Sequence, residues 1–325
     1  MLYSSVIPFY KASGFTSYDW QHLTFDKLSS LDERNDYAFT VPYKRIVHFD
    51  RAKNRVYIPS FYIYTDIEYD SAQPVDCNAI RIVFGDGTSI VSTISVSLGP
   101  SFDDFINSLH LEVLGGKILV VSEPGYLEFP NGAWPLGPMS IVLRFRRQYT
   151  FENYDYYSDR LYVTDDIHNY IELKWWNTTN LAIGRRIIPY EYGYKPSCFI
   201  DTLLGKPEYT FEEELISRLG YNFVQSAVSK KTYRCAFSAP EYLCDSLRIM
   251  RICDNKFVTR YDFPNYSERL EPMTMTMDVD WDEQGHLALV NMSFDVDLVA
   301  ANPSGYIPGV HGDFNNDYNN DFSNS

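Results

Sequence analysis

The sequence predicts a mainly β protein, organised as two tandem antiparallel β-sandwich-like domains with a few short helices. Three observations lead to this class. Polarity alternates residue by residue over long stretches, Gly, Pro and Asn turns separate short apolar runs, and aromatic residues are abundant. The 27 Tyr, 21 Phe and 5 Trp make up 16% of 325 residues, and strands and interfaces both favour such side chains. A chain of this length can bury a sizeable core without covalent staples.

Taken from the N-terminus, Phe61, Ile63, Ile67 and Tyr69 mark one strand face, and Ile80, Ile82 and Phe84 a second that ends at Gly85-Asp86-Gly87. Ile90, Ile94, Val96 and Leu98 follow with Ser92 in the series, which makes the second strand one arm of a hairpin. Further strands are expected at residues 117–121, 140–147, 160–163 and 170–176.

Three segments carry a hydroxyl residue followed three positions later by an acid, the reciprocal capping signature of a helix start. They are residues 101–109 (Ser101, Asp104), 210–219 (Thr210, Glu213, stopped by Gly220) and 238–250 (Ser238, Glu241).

Toward the end, Met273, Met275, Met277, Val279 and Trp281 alternate with Thr274, Thr276, Asp278 and Asp280, the period of a half-buried strand. After Asp282-Glu283-Gln284-Gly285 the alternation resumes, with Ala288, Val290, Met292, Phe294, Val296 and Leu298 on one face. Together they read as a long antiparallel hairpin, and a buried Trp281 would cost roughly 3–5 kcal/mol to truncate to Ala.

A boundary is expected near residues 164–170, giving domains at 1–166 and 167–308, the second with two short helices. Residues 309–325 differ in kind, being a run of amides and acids with evenly spaced aromatics. Such a segment has little with which to build a core. It is expected to dock on a partner through Phe314, Tyr318 and Phe322.

Chemistry is sparse. Acids exceed bases by 43 to 28, a net charge of −15, which disfavours sequence-specific nucleic-acid binding because few phosphates could be neutralised. No apolar run is long enough for a membrane span, and the first residues lack the basic-then-apolar pattern of a secretory leader.

Cys77, Cys198, Cys235, Cys244 and Cys253 have neither zinc nor disulfide-framework spacing and read as buried free thiols in a reducing compartment. Asp278-Val279-Asp280-Trp281-Asp282 alternates acids as a calcium loop does, but Glu283 and Leu289 stand where that loop needs Gly and Glu, so a solvated strand face is the better reading. Asp66, Glu68 and Asp70 read the same way. No metal motif, nucleophile elbow or phosphate cradle is present, and neither a cofactor nor a catalytic role is expected.

Trp175 and Trp176, followed by Asn177, Thr178 and Thr179, could form a sugar-stacking platform or an interface. Neighbouring strand residues point to opposite faces, however, which puts one Trp in the core and leaves the other to meet a strand or partner.

Several stretches taken together carry a family signal. Tyr170-Ile171-Glu172-Leu173-Lys174-Trp175-Trp176-Asn177, Phe211-Glu212-Glu213-Glu214, Lys231-Thr232-Tyr233, Ala239-Pro240-Glu241-Tyr242-Leu243-Cys244-Asp245 and Trp281-Asp282-Glu283-Gln284-Gly285-His286-Leu287-Ala288 occur in that order. The series resembles structural proteins of tailed phages infecting gut Bacteroidota, including crAss-like phages. The likeness spans residues 120–298 and is most specific from 170 onward. His286 stands where those relatives usually carry Asp.

The resemblance implies a non-enzymatic virion component of the tail or neck, a β-sandwich subunit made in the host cytoplasm. It would assemble into a homo-oligomeric ring around the DNA conduit and contact other tail or neck proteins, with no catalytic motif to carry over. The alternative is a β-sandwich receptor- or glycan-binding tail module using Trp175 or Trp176 and the tyrosines around Tyr154, Tyr156 and Tyr157. Deleting residues 309–325 is expected to leave the subunit folded while weakening assembly, and unchanged sedimentation of the truncated chain would count against that docking role.

Overall fold

The computed structural model describes residues 5–12, 44–85, 89–93, 109–128, 135–184, 186–218, 221–262, 266–281 and 287–301. Its first strands are β1 (Phe9–Lys11), β2 (Arg45–Asp50), β3 (Arg55–Ile58), β4 (Tyr62–Glu68), β5 (Val75–Phe84) and β6 (Ser89–Thr93). Then come β7 (Leu109–Leu114), β8 (Lys117–Ser122), β9 (Gly125–Glu128), β10 (Gly137–Arg147), β11 (Asn153–Ser158) and β12 (Leu161–Thr164). The second half opens with β13 (Tyr170–Trp176), β14 (Leu181–Ile183), β15 (Arg186–Ile188) and β16 (Ser197–Asp201). It continues with β17 (Glu208–Arg218), β18 (Tyr221–Pro240), helix α1 (Glu241–Met250), β19 (Asn255–Asp262), β20 (Tyr266–Leu270), β21 (Thr274–Trp281) and β22 (Leu287–Ala301). The chain is mainly β, as the alternation predicts. Among the described residues no helix is long and apolar enough to cross a membrane.

A thirteen-stranded sheet runs along β1-β11-β10-β12-β2-β16-β13-β19-β20, with β3, β5, β6 and β9 joined to it. Among the described pairings only β12 on β2 is parallel. A three-stranded sheet β4-β8-β7 and a four-stranded sheet β17-β18-β22-β21 pack with it.

Two large cores result. The first gathers Phe61, Ile63, Ile80, Ile82, Ile141, Leu143 and Phe145. The second gathers Ile171, Leu173 and Trp175 of β13, Leu243, Leu247 and Met250 of α1, Tyr233 and Phe237 of β18, and Val290 and Phe294 of β22.

β8 serves both. Ile118 and Val120 enter the first core, Leu119 and Val121 the second. Its partner β4 divides the same way, with Ile63 in one core and Tyr62 in the other. The expected boundary near residues 164–170 lies in the connection between β12 and β13, and both cores draw on strands that precede it.

Most expected strands are present with small shifts of their ends. Ile80, Ile82 and Phe84 are buried as predicted, and β5 pairs with β6 as a hairpin. Ile94, Val96 and Leu98, the segment 101–108 and residues 309–325 with Phe314, Tyr318 and Phe322 lie outside the described residues. Tyr69 follows the end of β4 and is exposed rather than on its buried face. All five cysteines are free and buried, and burial pushes the thiols of Cys77 and Cys235 up to about 12.

Three expectations are corrected. The helix expected at residues 210–219 is not formed over the described residues 210–218: Thr210 and Glu213 belong to β17, which pairs with β18 from Glu208↔Thr232 to Arg218↔Tyr221. A capping box satisfies two backbone donors of one turn, whereas the ladder satisfies them along the whole segment. The last helix begins at Glu241, not Ser238, with Pro240 at its N-cap and no side-chain cap. Ser238 is paired with Leu289 in the sheet, and the ring of Pro240 holds Ala239 extended, so the helix cannot reach back.

Trp281 is not buried. It is 45% exposed, whereas Met275 on the same strand is buried. β21 is the last strand of its sheet, and the core thins along it.

Trp175 has the role expected of Trp281. It is 1% exposed among Leu173, Tyr190, Tyr194 and Leu243. Trp175→Ala is expected to lower stability by about 3–5 kcal/mol, and Trp281→Ala by no more than about 0.5 kcal/mol in the isolated chain. Urea midpoints of the two variants check this, and equal losses would contradict the assigned faces.

Candidate functional site

Two surfaces stand out. The first is the ribbon made by β17, the early part of β18 and the end of β22. Residues 208–215 of β17 are exposed on both faces, so this part of the sheet stands clear of the cores. It nonetheless carries large apolar side chains: Phe211 is 75% exposed, Tyr209 60% and Leu215 54%. Lys230 with Glu212 (3.5 Å) and Arg234 with Glu208 (3.0 Å) tie the two strands together. Among the described residues β17 pairs only with β18, and β21 only with β22, so the sheet ends in two open edges.

The base of the ribbon is fixed at Asp295. The register between β18 and β22 shifts at Lys231/Thr232. There the Thr232 hydroxyl donates to one Asp295 oxygen at 2.6 Å and the Thr274 hydroxyl to the other at 2.7 Å. The Met273 N–H donates to the Asp295 carbonyl at 2.8 Å. One residue thereby joins three strands where the sheet leaves the core.

The second surface is the outer face of the sheet segment β2-β16-β13-β19. Ile171, Leu173 and Trp175 point inward, so Glu172, Lys174 and Trp176 lie on the opposite face. Phe199 is the cross-strand partner of Glu172. Tyr57 and Tyr126, partners across β3 and β9, form a wall beside it. Together with His48 and Tyr261 these residues line a cleft of about 350 Å³.

The rings are fixed by one another. His48 stacks on Tyr57 with centroids 5.9 Å apart, Tyr57 meets Tyr126 edge-on at 6.4 Å, and the Arg55 guanidinium lies 4.0 Å over Tyr126. The Tyr261 hydroxyl donates to Glu172 Oε2 at 2.7 Å, and burial together with this carboxylate raises the Tyr261 pKa far above the ordinary phenol value. Burial also lowers the His48 pKa, outweighing the opposing pull of Asp50 and Asp165.

The expected Trp platform is broken up. Trp175 is consumed by the core and cannot line an interface of the folded subunit. Trp176 is half-buried at the mouth of a second, more polar cleft of about 450 Å³ with Asn177 and Thr178. Phe257 stacks on it at 5.0 Å. The amide oxygen of Asn177 accepts from the Asp254 N–H at 2.7 Å, so this side chain is committed to holding a turn.

The tyrosines near residue 155 are likewise engaged. Tyr156 and Tyr157 are buried, and the Tyr156 hydroxyl donates to Asp66 at 2.5 Å. Asp278 and Asp280 lie exposed on β21.

Sequence reasoning missed the aromatic cleft, because its residues come from β2, β3, β9, β13, β16 and β19 and share no local pattern. The ribbon does carry a local signal, since Tyr209 and Phe211 alternate with polar residues. Comparison of the chain with family models, with curated proteins and with solved structures finds no match.

The two hydroxyl donors hold the Asp295 carboxyl below the ordinary carboxylate value of 3.8, outweighing partial burial. A folded-state pKa below the unfolded one means the folded chain binds fewer protons. The stabilisation is therefore full above the unfolded value and lost as pH falls through the depressed one. Asp295→Ala is expected to cost about 1 kcal/mol at pH 7 and to flatten the loss of stability between about pH 5 and 3. Denaturant titrations across that range check it, and an acid limb identical to that of the parent chain would refute the assignment.

Proposed function

We propose that the chain is a structural subunit of a tailed-phage virion, a tail or neck protein that assembles with copies of itself into a ring around the DNA conduit and performs no reaction. The observation that carries this reading is the ribbon, an eleven-residue edge strand of which residues 208–215 are exposed on both faces and studded with Tyr209, Phe211 and Leu215. Unpaired edges of this length are templates for pairing with another chain, and exposed aromatics of this size mark interfaces. A second copy meets both demands at once. A heterologous contact between the open edge of one subunit and a different edge of the next closes into a ring if the rotation permits.

The motif resemblance from residue 170 onward points the same way, and the net charge of −15 suits a conduit that must not hold passing DNA. The other tail or neck proteins would meet the surfaces that the ring leaves free.

Light scattering and native mass spectrometry of the purified chain test the proposal. A discrete oligomer is expected. Tyr209→Glu with Phe211→Glu should dissociate it to monomers with the melting midpoint of the monomeric fold retained, since each truncated anchor is worth roughly 2 kcal/mol of association. A parent chain that stays monomeric at high concentration, or an oligomer indifferent to the double substitution, would overturn it.

A further inference from the structure

The cleft beside β13 is unrelated to the ribbon and is built for a different kind of contact. Its walls are Tyr57 and Tyr126, its floor Phe199 and Tyr261, and its charged groups Glu172 and Lys174, which share one face of β13 two residues apart. At about 350 Å³ it falls at the small end of cavities that hold discrete ligands.

The lining selects the ligand. Flat rings held rigid by stacking offer apolar faces to a ligand with apolar faces of its own. Tyr126 is 38% exposed with Arg55 over its ring, so the ring has a fixed orientation and still reaches solvent. Tyr261 occupies one oxygen of Glu172, and the second has no protein donor among the described residues. Lys174 makes no ion pair among the described residues, its ammonium lying 5.9 Å from the Trp176 ring. An acceptor and a donor thus stand side by side next to aromatic faces.

A cationic ligand is disfavoured, because Lys174 and Arg55 already bring positive charge to the cleft. A phosphorylated ligand is disfavoured by Glu172 and by a chain of net charge −15. What fits is a neutral ring with a C–H face to stack and adjacent hydroxyls that can donate to a carboxylate and accept from an ammonium.

The geometry points to a saccharide-binding cleft that takes one or two neutral pyranose rings, stacked on Tyr126 and Tyr57 with a hydroxyl pair held by Glu172 and Lys174. Binding involves no bond making or breaking. It does not rest on the ring assembly, and the monomeric ribbon variant should bind the same sugars.

Saturation-transfer NMR and calorimetry on the full chain test it, with methyl glucoside, methyl galactoside, methyl mannoside, N-acetylglucosamine and β-linked disaccharides of these as probes. At least one is expected to bind with a Kd on the order of 1 mM or tighter. Tyr126→Ala should weaken that binding about tenfold through loss of the stacking face. Glu172→Gln should weaken it several-fold, since the amide can still accept from Tyr261 but loses the charged acceptor. The second variant is isosteric and keeps the test open if the first disturbs β9. Absence of saturation transfer across the panel, or binding unaffected by both substitutions, would overturn the inference. So would displacement of the sugar signal from these residues to the Trp176 cleft.

Discussion

The structure depends on a single strand that is apolar on both faces. β8 reads Ile118-Leu119-Val120-Val121, a run without alternation, and its side chains go in turn to the first core and the second. A strand of this kind has no solvent face, so it must lie between two packed layers. The layers on either side cannot separate without exposing one set of its side chains to water. Two sandwich-like halves are therefore welded through β4 and β8, and the parallel contact of β12 on β2 together with the Phe199↔Ile46 pairing continues the sheet from one half into the other. Even the hydroxyls at this seam are spoken for. Ser60 donates to the Ser122 carbonyl at 2.5 Å and accepts from the Lys195 N–H at 3.0 Å.

Charge inside the first half follows the same logic of completeness. Arg144 and Asp155 are both buried and meet through two hydrogen bonds of 2.7 Å, while Arg45 reaches the buried Asp159 at 2.5 Å. A buried ion pair of this sort adds little net stability, but removing either partner leaves an uncompensated charge. Its value lies in register. Arg144 and Asp155 are cross-strand partners on β10 and β11, and a slip of one residue would separate them while turning every side chain to the wrong face.

How much of this could be read from the sequence follows from how far apart the cooperating residues lie. The strict alternations around Met275 and Val290 and in Tyr170–Trp176 were legible because period two is a local property. The two-faced β8 was legible as a strand, since a short apolar run between Gly and Pro turns can be little else, but not as a shared wall, because nothing local says which core each side chain enters. The helix expected at Thr210 failed because a capping signature of four residues competes with an eleven-residue ladder formed with a distant segment. Trp281 was placed on the correct strand and misjudged in burial, since edge position is a property of the whole sheet. Trp175 and Trp176 separated as alternation requires, but whether the outer one was free depended on Phe257, some eighty positions away. The aromatic cleft needs six strands to assemble and left no trace in any one of them.

The ribbon extends from the sheet packed on the inner face of β13, whereas the cleft lies on the outer face of β13, and this decides how they can be used. Ile171, Leu173 and Trp175 of β13 pack inward against the strands that run on into the ribbon, while Glu172 and Lys174 of the same strand line the cleft outside. Whatever pairs with the ribbon pairs with the extension of the inner layer, and it has no need of the outer face. Alternation along a seven-residue strand thus puts the core on one side and the cleft lining on the other. If the ribbon assembles the chain as proposed, the cleft would still face outward, with the rigidity of β13 passing from the buried Trp175 to the carboxylate of Glu172 three positions before it.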